Sequence, residues 1–147
     1  MKKEIINQDK IIEKTLNIWK ENPYIMMFGI EPVVVEPRFL KARFKVNDSL
    51  LNPYKTVHGG CLYSVADIVA GTLADFSGRY CTTVEGNMNY LERADRTEYI
   101  YCEAKMVRSG SHLIVVKVKI RNDKERIIDD GSFTFYKTDV EVLGEND

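Results

Sequence analysis

The clearest pattern in the chain is an alternation over residues 39–46, where leucine, alanine, phenylalanine and valine alternate with lysine and arginine. A period of two residues is typical of a strand with one buried face. Four later segments are rich in Val, Ile, Thr, Tyr and Phe and are separated by short polar turns: residues 82–91, 99–109, 112–122 and 127–136. Because strands joined by such short turns run antiparallel, the sequence predicts an antiparallel sheet of five or so strands.

Two further segments have helical patterns. Over residues 9–21 apolar side chains recur at intervals of four and three, which predicts an amphipathic helix that ends before Pro23. Residues 59–74 are apolar on all sides, and their only charged residue is Asp67. This pattern predicts a buried helix. Together these patterns predict an α+β domain in which an antiparallel sheet wraps around one long helix.

The composition is typical of a soluble globular protein, with 44% apolar and 29% charged residues and a net charge of −1. That balance argues against a general attraction to nucleic acid, and no apolar run is long enough to cross a bilayer. The three cysteines, Cys61, Cys81 and Cys102, include no C-x-x-C pair, which argues against a disulfide framework and favours a reducing, cytoplasmic location. The mixed charge after Met1 is not typical of a secretory signal, and the polar residues 141–147 are expected to be disordered.

Asp67 is the first candidate for chemistry, because a carboxylate in the third turn of an apolar helix is costly to bury. The helix dipole does not account for it, since that effect fades within the first turn. Two interpretations stay open. Backbone groups or tyrosine hydroxyls could satisfy the carboxylate structurally, or the site could open to a ligand.

The same helix opens with His58-Gly59-Gly60, which would leave backbone N–H groups free to bind an anion or a developing oxyanion. The alternative is a tight turn that needs only the conformational freedom of glycine. Asn52, in the preceding loop, could likewise cap a turn or donate its side-chain N–H to a substrate carbonyl. Cys61 follows His58 by three residues, but no second ligand pair exists, so neither a metal nor another cofactor is expected.

The segment from Asn52 to Asp67, NPYKTVHGGCLYSVAD, resembles the N-x5-H-G-G-x6-D signature of hotdog-fold acyl-CoA thioesterases of the PaaI type, which include thioesterase superfamily member 2. Further motifs of that family are matched by residues 83–91, Ala94 and Gly110, and the resemblance covers roughly residues 25–137. It implies the hotdog fold, a long central helix wrapped by an antiparallel β-sheet of about five to six strands, here with an extra N-terminal helix. The implied divisions are residues 1–24 for that helix, 25–140 for the thioesterase domain and 141–147 for the polar tail.

The resemblance implies a thioester hydrolase that converts an acyl- or aryl-acyl-CoA to free acid and coenzyme A. Asp67 resembles the catalytic acid, which acts as general base or nucleophile, and the Gly59 N–H resembles the donor to the thioester oxygen. A side-chain helper, a histidine near the leaving thiolate and a hydroxyl that orients water complete the implied catalytic set: Asn52, His58 and Thr83. The implied substrate-binding positions, along the coenzyme A channel, are Gly60, Tyr90, Leu91, Arg93, Arg108, Ser109, Gly110 and Ser111.

The distance between Gly59 and Asp67 along the helix predicts that the active site is shared between subunits. Gly59 and Asp67 are eight residues apart, about 12 Å at 1.5 Å per residue, whereas an oxyanion donor and a base must both lie close to one carbonyl. Two antiparallel helices in a dimer would bring Gly59 of one subunit to Asp67 of the other. The resemblance likewise implies a homodimer as the smallest active unit, commonly paired into a homotetramer. The alternative function is a non-catalytic acyl-CoA-binding hotdog module, and neither reading involves a nucleic acid or membrane partner.

Overall fold

The computed structural model describes residues 1–147 and contains three α-helices and six strands. The helices are α1 (Lys2–Asn17), α2 (Pro23–Met26) and α3 (Gly59–Asp75), with single 3-10 turns at Ile18–Lys20 and Asp48–Leu50. The strands are β1 (Glu31–Glu36), β2 (Phe39–Lys45), β3 (Arg79–Tyr90), β4 (Tyr99–Ser109), β5 (Leu113–Arg121) and β6 (Ile127–Glu141).

All six strands form one antiparallel sheet in the order β1-β2-β4-β5-β6-β3. The chain leaves β2, passes through α3 and returns as β3 at the opposite edge of the sheet, so the outer side of β3 has no strand beside it. α3 packs against one face of the sheet and contacts β2 to β6. The predicted architecture, one long helix against an antiparallel sheet, is confirmed, and none of the helices is long and apolar enough to cross a membrane.

Within a single chain, α3 is buried only on the side that faces the sheet and α1. A stripe of residues at helical spacing stays half-exposed along its other side: Ser64, Asp67, Ile68 and Gly71. Trp19 is buried beside the helix and donates its indole N–H to Thr72 Oγ1 at 2.9 Å. The predicted burial of α3 on all sides is therefore wrong for the isolated chain, and Asp67 lies on the accessible stripe.

Two features of the structure were missed by the sequence predictions, the strand β1 and the first turns of α1, because few of their apolar side chains are buried. β1 reads Glu-Pro-Val-Val-Val-Glu without alternation, and all six of its residues are exposed. Its proline, Pro32, is tolerated because β1 is an edge strand. α1 begins at Lys2 rather than at residue 9, and its first residues are exposed, so no apolar period indicates them. Gln8 nevertheless ties this region to the domain, donating to the Phe76 carbonyl at 3.0 Å.

The C-terminal segment packs against the domain. β6 runs to Glu141, and the next residue, Val142, is fully buried and donates its N–H to the Gly78 carbonyl at 2.9 Å. Asp147 accepts a hydrogen bond from Lys14 Nζ on α1 at 2.6 Å. The expected disorder of residues 141–147 is therefore wrong, because one apolar side chain and one ion pair hold the segment in place.

Candidate active site

The first turn of α3 leaves one backbone donor free. His58 is the N-cap, and its Nδ1 accepts the Gly60 N–H at 2.8 Å. The His58 carbonyl accepts the N–H groups of Cys61 and Leu62 at 2.9 and 3.2 Å. The Gly59 N–H donates to no atom of the chain. Of the two glycines singled out from the sequence, Gly59 is thus the one with an available N–H, while that of Gly60 is occupied by the cap.

A pocket of about 300 Å³ opens at this free donor. Tyr90, at the end of β3, forms one wall and donates its hydroxyl to the Gly59 carbonyl at 3.0 Å. A Cβ on residue 59 would lie 3.3 Å from Tyr90 Cε1, so glycine lets the ring lie against the backbone. The structure brings five predicted site residues together around this pocket: Asn52, Gly59, Tyr90, Leu91 and Arg93.

Asn52 is held within its own loop. Its Oδ1 accepts the N–H groups of Tyr54 and Thr56 at 2.9 and 3.2 Å, and its Nδ2 donates to Thr56 Oγ1 at 2.8 Å. These contacts correspond to the turn-capping interpretation of the sequence. Because an amide NH₂ carries two protons, one N–H of Asn52 stays available at the pocket. Thr56, which holds Asn52 from the opposite side of the loop, was not singled out from the sequence.

Asp67 lies two turns further along α3 and interacts with the neighbouring strand. Thr83 Oγ1 on β3 donates to Asp67 Oδ1 at 2.7 Å, so the predicted catalytic acid and the predicted hydroxyl residue form a direct pair. Asp67 is half-exposed and Thr83 is exposed. The second carboxylate oxygen is free of protein hydrogen bonds and could accept a proton from a water. Neither residue lines the pocket at Gly59.

The predicted substrate-binding residues of the β4–β5 turn lie at the end of the sheet opposite the pocket at Gly59. Arg108, Ser109, Gly110 and Ser111 form the end of β4 and the turn into β5, where Gly110 N–H donates to the Leu113 carbonyl at 2.8 Å. Leu113 pairs with Tyr136 of β6, which pairs in turn with Thr82 of β3, so this turn lies at the same end of the sheet as the beginning of β3, with β6 between them. The pocket at Gly59 lies at the end of β3, and one chain does not bring the two groups together.

Two titratable groups near the pocket constrain its chemistry. Burial raises the pKa of the Cys61 thiol to about 12, so this cysteine in the first turn of α3 stays protonated at neutral pH and is a poor nucleophile. Burial, then the neighbouring Asp130, raises the pKa of Asp129 to about 7. Asp129 pairs with Tyr90 across β3 and β6 and is fully buried, and neither carboxylate oxygen has a hydrogen-bond partner. No local pattern distinguishes Asp129 from Asp130, so the sequence did not indicate it.

No group of three or more His, Cys, Asp and Glu side chains is arranged to hold a metal ion. The polar groups that the site presents are Asp67, Thr83, the Gly59 N–H, and the amide and imidazole groups at the start of α3. An available N–H beside a pocket suits a developing oxyanion, and an accessible carboxylate suits a general base or nucleophile.

Comparison with known proteins agrees with this chemistry. The family model described as Thioesterase superfamily matches residues 54–128. A protein of Archaeoglobus fulgidus named "Putative esterase" is 24% identical over 120 residues, which cover 82% of this chain and 78% of that protein. The structure of the E. coli PaaI protein from the phenylacetic acid degradation operon superposes with a TM-score of 0.81 at 16% identity, covering 89% of this chain and 98% of that one.

A second structure, a hypothetical thioesterase of Streptococcus pneumoniae solved with coenzyme A, superposes with a TM-score of 0.72 at 25% identity, covering 76% of this chain and 88% of that one. The class defined by fold and site is that of the hotdog thioester hydrolases. The chain belongs to the thioesterase superfamily. The predicted resemblance to hotdog thioesterases of the PaaI type is confirmed, and so is the prediction of a thioester hydrolase.

Proposed function

We propose that the protein hydrolyses acyl-CoA thioesters at two equivalent sites, each built from both subunits of a dimer. The observation that carries the proposal is the arrangement of two half-sites along one edge. The free Gly59 N–H lies against Tyr90, and Asp67 lies against Thr83. Along α3 they are about 12 Å apart, too far for both to act on one carbonyl of the same chain.

The edge that carries both half-sites is open. β3 is a 12-residue strand whose outer side has no neighbour, and an open edge of this length is a template for pairing with another strand. If a second copy of β3 pairs antiparallel across a two-fold axis, Thr83 of one subunit faces the Tyr90 end of the other. The half-exposed stripe of α3, which includes Asp67, would then face the same stripe of the second subunit.

The midpoint between the half-sites supports this arrangement. Tyr63 lies midway between Gly59 and Asp67 on α3, and its hydroxyl approaches β3 at Gly86, between Thr83 and Tyr90. A Cβ on residue 86 would lie 2.5 Å from Tyr63 Oη, so glycine allows helix and strand to approach closely at this point. A two-fold axis near this midpoint exchanges the two half-sites along both the helix and the strand.

In the proposed reaction, Asp67 of one subunit accepts a proton from a water that Thr83 helps to orient. The water oxygen bonds to the thioester carbonyl carbon, and the developing oxyanion accepts the Gly59 N–H of the other subunit, assisted by the free N–H of Asn52. The carbon–sulfur bond then breaks to give the acid and the thiolate of coenzyme A, which is reprotonated. Direct attack by Asp67, through an acyl-enzyme anhydride, remains the alternative route for the same residue.

His58 suits a position near the leaving thiolate. Because its Nδ1 accepts the Gly60 N–H, the proton of the neutral ring resides on Nε2, on the side away from the helix. Nε2–H is then available to donate to the thiolate, a good leaving group that needs little acid assistance. The proposed role of His58 is therefore hydrogen bonding to sulfur, while its N-cap contact fixes the ring.

The pocket beside Gly59 and Tyr90 is proposed to receive the pantetheine end of coenzyme A, with Leu91 and Arg93 along its wall. Support comes from the S. pneumoniae thioesterase, which was solved with coenzyme A.

The proposed thioesterase domain covers residues 25–140, and two dimers are proposed to pair into a tetramer. The proposed location is a reducing cytoplasm, in keeping with three free cysteines. The non-catalytic acyl-CoA-binding module is less favoured, because the Asp67–Thr83 pair has no need to exist in a module that only binds.

The test is replacement of Asp67 by asparagine. With a panel of aliphatic and aryl acyl-CoAs and detection of the released thiol, D67N should lower kcat at least about a hundredfold, the usual contribution of a general base. The fold should survive because Asp67 is half-exposed and its contact with Thr83 can be kept by the amide oxygen. Asp9→Asn, a change of the same charge on exposed α1, is the matched control. Turnover by D67N at the wild-type rate would refute the assignment.

A further inference from the structure

The proposed oxyanion donor, the Gly59 N–H, belongs to a residue with little restraint of its own. Gly59 and Gly60 open α3, and glycine has more backbone freedom than any other residue. The Gly59 N–H also donates to no atom of the chain that could fix its direction. An oxyanion donor is effective only if it points to the place where charge develops, about 3 Å away. The direction of this N–H must therefore be held by the groups around it.

The peptide group between Gly59 and Gly60 is held at both of its ends. Its N–H, that of Gly60, donates to His58 Nδ1 at 2.8 Å. Its carbonyl, that of Gly59, accepts the hydroxyl of Tyr90 at 3.0 Å. Because a peptide group is planar and rigid, these two contacts fix its orientation, and with it one of the two backbone planes that meet at the Gly59 Cα.

Tyr90 makes its contact from a firmly anchored strand end. The N–H groups of Leu91 and Glu92, which follow it, both donate to the Ile128 carbonyl of β6, at 2.8 and 3.1 Å. The ring of Tyr90 lies so close to Gly59 that a Cβ there would be 3.3 Å from Tyr90 Cε1. Ring contact and hydrogen bond together tie the start of α3 to the sheet.

The hydroxyl of Tyr90 keeps the proton that this contact needs. Burial raises the pKa of Tyr90 above its ordinary value of 10, and the neighbouring Asp129 and Tyr63 raise it further. The phenol therefore stays protonated at neutral pH and remains a donor. A backbone carbonyl has two lone pairs, so that of Gly59 can accept this hydroxyl without giving up a helical hydrogen bond.

We infer that Tyr90 is a positioning residue for thioester hydrolysis, an inference that rests on the proposed function. By holding the Gly59 carbonyl at the end of β3, its hydroxyl keeps the Gly59 N–H directed into the pocket where the oxyanion forms. The family resemblance implies a substrate-binding role for this position. The two roles differ in their kinetics, because a residue that directs an oxyanion donor acts on the transition state and a binding residue acts on the ground state.

The test is Tyr90→Phe, which removes the hydroxyl and keeps the ring against Gly59. With an acyl-CoA substrate, kcat should fall about tenfold, less than the loss expected when a donor is removed outright, while KM changes less than about twofold. The matched control is Tyr99→Phe, on the face of β4 turned away from α3, where the ring lies 4.4 Å from the Arg43 guanidinium. This variant should leave both constants unchanged. A rise in KM at constant kcat for Tyr90→Phe would assign the hydroxyl to substrate binding and overturn the inference.

Hydrogen exchange of the Gly60 N–H, measured by NMR, reads the same contact without any substrate. Losing the hydrogen bond at the other end of the peptide should speed this exchange about fivefold in Tyr90→Phe, while amides in the middle of β4 and β5 exchange as in wild type. Unchanged Gly60 exchange, or an unchanged kcat, would refute the positioning role and leave hydrolysis by the wild-type protein intact. Wild-type protein that hydrolyses no acyl-CoA would refute the proposed function, and the exchange of Gly60 would still decide whether Tyr90 holds the first turn.

Discussion

Replacing Asp129 with asparagine should stabilise the protein at neutral and alkaline pH. Asp129 lies on β6 between Tyr90 of β3 and Ile120 of β5, is fully buried, and has no hydrogen-bond partner on either carboxylate oxygen. A buried carboxylate without a partner is among the most costly groups in a core. Asparagine keeps the shape and removes the charge, so the substitution isolates the cost of ionisation.

The magnitude follows from the pKa of Asp129. Burial, then Asp130, raises this pKa to about 7 from its ordinary 3.8. Below the ordinary value the carboxyl is protonated in both the folded and the unfolded chain, and its charge costs nothing. Between the two values only the unfolded chain ionises, so the free energy of unfolding falls with rising pH by about 1.4 kcal/mol per pH unit. Above pH 7 the loss is constant, about 4 kcal/mol if the site does not relax on ionisation.

The assay is urea unfolding of wild type and Asp129→Asn at several pH values and one protein concentration, because subunit association adds to apparent stability. The advantage of the variant should grow by about 3 kcal/mol between pH 5 and pH 8 and then stay level. The pKa of Asp75, which burial also raises to about 7, affects both proteins equally and cancels. Asp9→Asn on exposed α1 should show no such growth. Parallel pH profiles for wild type and Asp129→Asn would refute the reasoning.

Three further predictions concern the active site. Asn52→Ala should lower kcat by about tenfold with a smaller change in KM, because its hydrogen bond strengthens as charge develops on the oxygen; a large rise in KM at constant kcat would assign Asn52 to substrate binding instead. A second experiment mixes Asp67→Asn with a double variant that carries both Asn52→Ala and His58→Ala, after the chains are dissociated and reassociated. Half of the dimers should be mixed, and each mixed dimer has one intact site. About a quarter of all sites should therefore regain activity. No recovery after proven chain exchange would contradict the shared site. Prolonged dialysis against a chelator should leave thioester hydrolysis unchanged, and activity restored by a divalent ion would overturn that expectation.

Regular patterns in the sequence were sufficient for most of the fold. The boundaries of β4 were predicted without error, because β-branched and aromatic residues bounded by polar turns mark it. α3 was predicted to within one residue, because a long and nearly uncharged apolar run marks it. β1 and the start of α1 carry few buried side chains, so their sequences resemble loops or solvated helix. The C-terminal segment was predicted as disordered because a single apolar residue, Val142, anchors it.

The candidate site was predictable as a set of residues, but not in its arrangement. The spacing from Asn52 to Asp67 predicted the N-terminus of the helix, which the structure places at Gly59, and singled out Asp67 as the candidate acid. The distance along the helix predicted a site shared by two subunits, and that stays a proposal. The contact of Asn52 with Thr56 depends on how the loop closes. The burial of Asp129 without a hydrogen-bond partner depends on the register of β6 against β3. No local sequence pattern encodes either feature. Asp129 and its neighbour Asp130, for example, differ only in the face of the sheet that they occupy.

The cap of α3 links the imidazole of His58 to the backbone of the proposed oxyanion site. His58 accepts the Gly60 N–H through Nδ1, so the first turn of the helix depends on an acceptor at this position. A side chain without an acceptor would remove the cap, worth about 1 kcal/mol in typical helices. The first turn would then loosen at the position where the free Gly59 N–H must hold its direction. A substitution of His58 would therefore act on the Gly59 donor through the backbone as well as on the leaving group.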